Sequence, residues 1–122
     1  MSAHGFPRSA RLLKAAEFEH VFAQPRRSAD RYFTVLARAS KCPRARLGLA
    51  ISKRQVPSAV LRNRLKRLAR ERFRQLCGTV HGLDLVIMAR AAAGNAARPS
   101  LNASLDHHLK SLTQRDDAAG GY

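Results

Sequence analysis

The sequence predicts an α+β fold, a two-layer sandwich in which helices cover a mostly antiparallel sheet. Three observations carry this. Two stretches of period-two alternation follow one another through a short turn, a long basic stretch of helical period separates them from a β-branched run, and helical patterns stand near both ends. The order helix, strands, basic helix, strand, helix implies a mostly antiparallel sheet with a helical crossover. The 122 residues, 45% of them hydrophobic, can bury one modest core and not two. A single domain over 1–122 is therefore expected, with a basic lead segment over 1–14 and a frayed tail over 115–122.

Each element follows from a local pattern. After the lead segment, which contains Phe6-Pro7, the stretch from Ala15 to about Gln24 places Phe18, Val21 and Phe22 at i, i+3 and i+4, a short helix ended by Pro25. That stripe suits a core, and aromatics beside cations equally suit base stacking. From Arg31 to Arg38, Phe33, Val35 and Ala37 alternate with Tyr32, Thr34 and Leu36, which reads as a strand with two fairly apolar faces. A turn at Cys42-Pro43 leads to a second strand, Ala45 to Ser52, where Leu47, Leu49 and Ile51 alternate with Gly48, Ala50 and Ser52. The small face either receives a closely packed helix or leaves a shallow groove. Lys53 and Arg54 add charge at the strand's end. Pro57-Ser58 then opens the basic helix, which runs to about Leu76 before Gly78 stops it. Leu83 to Ala89 is a short buried strand, Ala91 to Pro99 a loop, and Leu101, Leu105, Leu109 and Leu112 mark a final amphipathic helix from Ser100.

The basic helix is the most informative element. Residues 61–74 hold seven basic side chains and one acid. At 100° per residue Leu61, Leu65, Leu68, Ala69 and Leu76 form an apolar stripe, with Phe73 at its border. Arg62, Asn63, Lys66, Arg67, Arg70 and Arg74 fall within an arc of roughly 140° on the other side, with Arg64 at its edge. Arg72 projects near the apolar stripe, so either its stem snorkels past the core or the helix changes direction there. Solvated helix faces usually mix signs to gain i,i+4 pairs; here Glu71 alone opposes the cations, which favours an external anion. Arginine predominates, and guanidinium forks bind phosphate bidentately and stack on bases. The whole chain agrees: 23 Lys and Arg against 8 Asp and Glu give +15, the balance of a nucleic-acid-binding protein.

Other chemistries are disfavoured by spacing. Two-metal phosphodiester cleavage needs clustered carboxylates, whereas Glu17 and Glu19 lie about 200° apart on a helix, Asp84 opens a strand, and Asp116-Asp117 fall in the tail. His107 and His108 diverge by roughly 100° and read as solvated, as does His20. Cys42 and Cys77 stand alone and read as reduced structural thiols. No serine, cysteine or histidine constellation suggests nucleophilic catalysis. No short helix and tight turn precede the basic helix as a helix-turn-helix requires. No apolar run approaches the roughly 20 residues that cross a bilayer, and the N-terminus lacks a secretory h-region, so a cytoplasmic protein is expected.

The motif order is specific. Arg46-Leu-Gly-Leu-Ala-Ile-Ser-Lys-Arg54, then Ala59-Val60, then Arg62-Asn63-Arg64-Leu65-Lys66-Arg67-Leu68-Ala69-Arg70-Glu71 resembles the protein subunit of bacterial ribonuclease P, from about Phe6 to the last leucine-spaced helix. The resemblance implies an αβββαβα order with a four-stranded sheet, a short extra strand around Arg26 to Ala29, and the basic helix as the crossover. It implies removal of the 5′ leader from precursor tRNA, as part of an endoribonuclease whose catalytic centre and Mg²⁺ lie in the RNA subunit. This chain would then supply no catalytic residue and no metal site. Its partners would be the catalytic RNA and leader-bearing precursor tRNA in a one-to-one ribonucleoprotein, with no membrane. Carried over by position, Arg62, Asn63, Arg64, Lys66, Arg67 and Arg70 would contact the catalytic RNA. Phe18, Phe22 and Phe33 would line the cleft for the single-stranded leader, with Arg11, Lys53 and Arg54 on its phosphates. Leu36 stands where some relatives carry tyrosine, and Arg54 replaces a frequent lysine. A structural RNA-binding protein such as a ribosomal component shares the charge and size and is disfavoured only by the motif order.

Overall fold

The computed structural model describes residues 10–120, with side chains to residue 113; Phe6, Pro7 and most of the lead segment lie outside the described residues. The elements run α1 (Ala15–Ala23), β1 (Arg26–Ala29), β2 (Phe33–Ala39), β3 (Arg46–Ala50), α2 (Ala59–Cys77), β4 (Leu83–Ala89), a 3₁₀ turn (Ala91–Asn95) and α3 (Arg98–Gly120). The sheet order is β1-β2-β4-β3. β1–β2 and β2–β4 are antiparallel, while β3 and β4 are parallel and joined through α2. The helical crossover is thus what makes an otherwise antiparallel sheet mixed.

Side-chain parity decides what each face of the sheet does. Phe33, Val35 and Ala37 of β2, Leu47 of β3 and Leu85 and Ile87 of β4 are buried in one cluster. Leu65, Leu68 and Phe73 of α2 close on it, with Leu101, Leu105, Leu109 and Leu112 of α3. This is the expected sandwich. The opposite parity forms a smaller cluster of Leu36, Val86, Val21 and Leu12, with Phe18, Ala50 and Met88 against it. α1 therefore lies across part of the face that α2 and α3 leave open, and the small residues of β3 receive it.

The structure departs from the sequence reading where side chains capture the backbone. Asp30 Oδ1 accepts the backbone N–H groups of Tyr32 (2.8 Å) and Phe33 (3.0 Å), so residues 31 and 32 belong to a turn and β2 begins at Phe33. The stretch expected as a loop folds into the 3₁₀ turn, and α3 starts at Arg98 because Pro99 is tolerated in a helix's first turn. α3 extends to Gly120, into the stretch read as a tail. His108 is the clearest correction. Expected in solvent, it is fully buried, because it falls on the same helical stripe as Leu101, Leu105 and Leu112. Its Nδ1 hydrogen-bonds Ser28 Oγ at 2.6 Å and its Nε2 faces Asp30 Oδ2 at 3.2 Å, while Ser104 Oγ donates to the same carboxylate oxygen. His107 is exposed, as expected. Phe73, placed at the border of the α2 stripe, sits inside the core at 2% exposure.

Candidate nucleic-acid interface

α2 is held at its start by Ser58, whose Oγ accepts the Leu61 N–H at 3.2 Å. The buried stripe is Leu65, Leu68, Ala69, Phe73 and Cys77. Burial lifts the Cys77 thiol to about 12. Arg72 resolves its two readings by reaching α3: Nε and Nη2 grip Asp106 at 2.7 and 2.9 Å, and Nη1 donates to Gln75. It is a strut between helices and leaves the cationic face to others.

That face divides into two groups. Arg62 donates to the carbonyls of Val56 (3.0 Å) and Pro57 (2.8 Å), and Arg64 to that of Ala96 (3.3 Å), so both anchor the helix start to neighbouring segments. Asn63, Arg67, Arg70 and Arg74 are exposed and bond no described side chain or backbone group. Three like charges without a counter-ion on the same helix face form a local positive field, which an external polyanion would relieve. Lys66 is half-buried at the border of this face, toward β3.

On the opposite side of the sheet, α1 is fixed by a chain of charges. Glu17 Oε1 caps the helix by accepting the N–H groups of Leu13 (2.7 Å) and Lys14 (2.9 Å). Its other oxygen accepts from Arg46 Nη1 at 2.8 Å. Arg46 in turn chelates Asp84 with Nε at 2.9 Å and Nη2 at 2.8 Å. Asp84 is 1% exposed, and the pairing raises the already high Arg46 pKa. The Lys14 and Leu13 N–H groups lower that of Glu17. Two acids that look scattered in sequence therefore share one arginine, a pairing visible only once β3 and β4 are known to lie in parallel register, Arg46 opposite Asp84.

The six residues expected around a leader cleft separate. Phe18 is half-buried in the smaller cluster, and Phe22 is 44% exposed on α1. Lys53 and Arg54 are exposed in the turn after β3. Arg11 is exposed and bridges in parallel to Leu47 near the start of β3, whereas Lys53 lies in the turn beyond the strand's other end at Ala50. Phe33 is not in this company. It is fully buried in the main core on the α2 and α3 side, because its parity is opposite to that of Leu36. The positions on the α1 side of the sheet are instead Thr34, Leu36, Ala50 and Met88, and strict alternation along β2 already excludes Phe33 and Leu36 from one surface. Gly48 is required here: a Cβ at this position would stand 2.6 Å from Phe18 Cε1, so the glycine lets the aromatic ring lie directly on β3.

A groove of about 190 Å³ opens along the free edge of β3. Leu12, Leu13, Leu47 and Leu49 give it an apolar lining with the edge of Phe18, and Arg11, Lys66 and Arg70 stand around it. Among the described residues no cluster of His, Cys, Asp or Glu could hold a metal ion, and no helix is long and apolar enough to cross a membrane.

The Ribonuclease P family model matches residues 6–113. The ribonuclease P protein component of Methylococcus capsulatus is 45% identical over 112 residues, covering 92% of this chain and 88% of that protein. That of Halorhodospira halophila is 45% identical over 102 residues, 83% of this chain and 84% of its own. Among solved structures, the Staphylococcus aureus RNase P protein superposes with a TM-score of 0.77 at 32% identity, covering 84% of this chain and 94% of that one. The Thermotoga maritima RNase P protein gives 0.69 at 27% identity, over 86% and 96%.

Proposed function

This chain belongs to the ribonuclease P protein family, as a protein subunit of that tRNA-processing endoribonuclease, and from that premise we propose how its two surfaces divide the work. α2 holds the catalytic RNA. Arg67 and Arg70, with Arg74 beyond the expected set, are the freely presented cations. Asn63 adds a neutral donor and acceptor beside them, and Lys66 flanks them. Arg62 and Arg64 fix the helix start, with their remaining N–H donors available to phosphate. The observation that carries this reading is the exposed, unneutralised Arg67–Arg70–Arg74 row on one face of a helix whose other face is core.

The leader of precursor tRNA takes the opposite face, where Phe18 and Phe22 offer rings for stacking and Lys53 and Arg54 meet the phosphates at the far end of β3. Stacking tolerates varied bases, as a subunit serving many tRNAs requires. Bond cleavage belongs to the RNA and its Mg²⁺. This chain's chemistry is electrostatic and positional, exercised in the cytoplasm in a one-to-one ribonucleoprotein. The family match sets aside a ribosomal role.

The test is salt dependence. Each phosphate contact releases counterions, so log affinity for a bacterial ribonuclease P RNA falls linearly with log salt, and Arg67→Ala and Arg70→Ala each reduce the slope by about one. An unchanged slope removes those residues from the interface. Phe18→Ala weakens precursor tRNA relative to mature tRNA in the assembled particle; equal loss for both leaves Phe18 a packing residue.

A further inference from the structure

We propose that the groove along the free edge of β3 is a socket for one unstacked base of the catalytic RNA. The inference rests on the assignment of α2 to that RNA and goes beyond it, from phosphate contact to a base contact.

Three observations converge on this edge. First, the sheet ends at β3, which pairs with β4 on one side and on the other, among the described residues, meets the 11–12 segment through the Arg11–Leu47 bridge and the Leu12 N–H bond to the Leu47 carbonyl at 3.0 Å. The groove lies beside that bridge, between it and Leu49. Second, its lining interleaves leucines and the Phe18 ring with the cations Arg11, Lys66 and Arg70. Leu13 is 49% exposed and Leu49 is half-buried, yet Lys66 and Arg70 stand directly beside them. Apolar side chains interleaved with cations are poorly matched to a lipid chain alone, but they match a nucleotide, whose base has two apolar faces and whose phosphate is anionic. Third, at about 190 Å³ the groove is smaller than the several hundred Å³ of ordinary ligand pockets, so it accepts a single ring system and leaves the sugar and phosphate outside. The backbone would then pass over Lys66 and Arg70.

The same geometry selects the catalytic RNA over the leader. Lys66 and Arg70 project from the face of α2 that continues into Arg67 and Arg74, so an RNA strand gripped by that helix reaches the groove without crossing the sheet. The leader surface meets the groove at the Phe18 ring and extends from it toward Phe22 and the end of β3. An unpaired base extruded from the RNA gives register to a contact that phosphate binding alone would leave free to slide.

The experiment separates base contact from charge. Leu13→Ala and Leu49→Ala are measured against the bacterial ribonuclease P RNA by salt titration, with thermal unfolding of each variant alongside; Leu13 is exposed, so its variant tests the groove even if Leu49→Ala loosens the core. The expected result is roughly a threefold to tenfold loss of affinity at every salt concentration with the slope unchanged, because a base contact releases no counterion. Lys66→Ala is the control, with the slope reduced by about one. If Lys66→Ala lowers the slope while both leucine variants bind like the parent, the socket is wrong and α2's role stands. If neither Lys66→Ala nor Arg70→Ala changes the slope, the assignment of α2 itself fails. Loss confined to precursor tRNA, with catalytic-RNA affinity unchanged, overturns the choice of occupant.

Discussion

Replacing Arg46 by methionine should destabilise this protein more than any change on its cationic face, although Arg46 is only one of 23 basic residues. Its guanidinium supplies two hydrogen bonds to Asp84, a carboxylate with 1% exposure. Methionine fills much of the arginine stem's volume and leaves that carboxylate buried beside no cation. Breaking a buried pair from one side costs about 3–5 kcal/mol. The Glu17 contact adds only about 0.5 kcal/mol, because both partners are partly exposed. Against a total stability of about 5–15 kcal/mol for a domain of this kind, the loss is a large fraction. It corresponds to a fall in Tm on the order of 10–20 °C. Urea unfolding followed by circular dichroism, at moderate salt to screen the +15 net charge, gives the number directly. Arg46→Met with Asp84→Leu removes both charges and should recover most of the loss. A loss below about 1 kcal/mol for Arg46→Met, or a double variant no more stable than the single one, would refute the burial argument.

Other consequences follow from single contacts. Gly48→Ala should push the Phe18 ring off β3, since the new Cβ would stand 2.6 Å from Phe18 Cε1 and 3.1 Å from the buried Leu12, and should loosen the smaller cluster and reduce the preference for precursor over mature tRNA; double-mutant analysis with Phe18→Ala should show the two losses are not additive. At Asp30, burial alone would raise the pKa, but the hydrogen bonds from Ser104 and from the Phe33 and Tyr32 N–H groups, with the His108 ring beside the carboxylate, outweigh it and hold the pKa at about 2. A depressed carboxylate pKa contributes stability that is complete above the unfolded value of about 3.9 and lost as pH falls toward 2. Acid unfolding of Asp30→Asn should therefore lack a component in that window, and an identical acid profile would dismiss the contribution. Cys42 should be alkylated in the native protein while Cys77, 1% exposed and with its thiol held protonated by burial, reacts only on unfolding; equal labelling of both in the native state would show the core is open there.

How much of this was legible in the sequence depends on the range of the interaction that decides each feature. Helical and strand periods are local, so α1, β2, α2 and β4 are found close to their observed bounds, and the cationic face of α2 follows from arithmetic alone. β1 is four residues with no alternation of its own, Arg-Arg-Ser-Ala, and entered only through the family resemblance. The Arg46 clamp depends on strand register between segments 38 residues apart and was invisible. His108 and Phe33 are different. Both misplacements contradict information already present, the leucine stripe of α3 in one case and the alternation along β2 in the other. Arg62 and Arg64 show the converse limit: charge nominates them for RNA, and only the folded chain reveals that carbonyls of Val56, Pro57 and Ala96 already engage them.

The central claim is that this chain grips RNA and leader while the RNA cuts, and reconstitution tests it most directly. The purified protein is mixed with a bacterial ribonuclease P RNA at low Mg²⁺, and precursor tRNA cleavage is followed beside RNA-alone and protein-alone controls. The account predicts efficient 5′ leader removal only when both are present; cleavage by the protein alone, or binding to the RNA without any stimulation of cleavage, would contradict it.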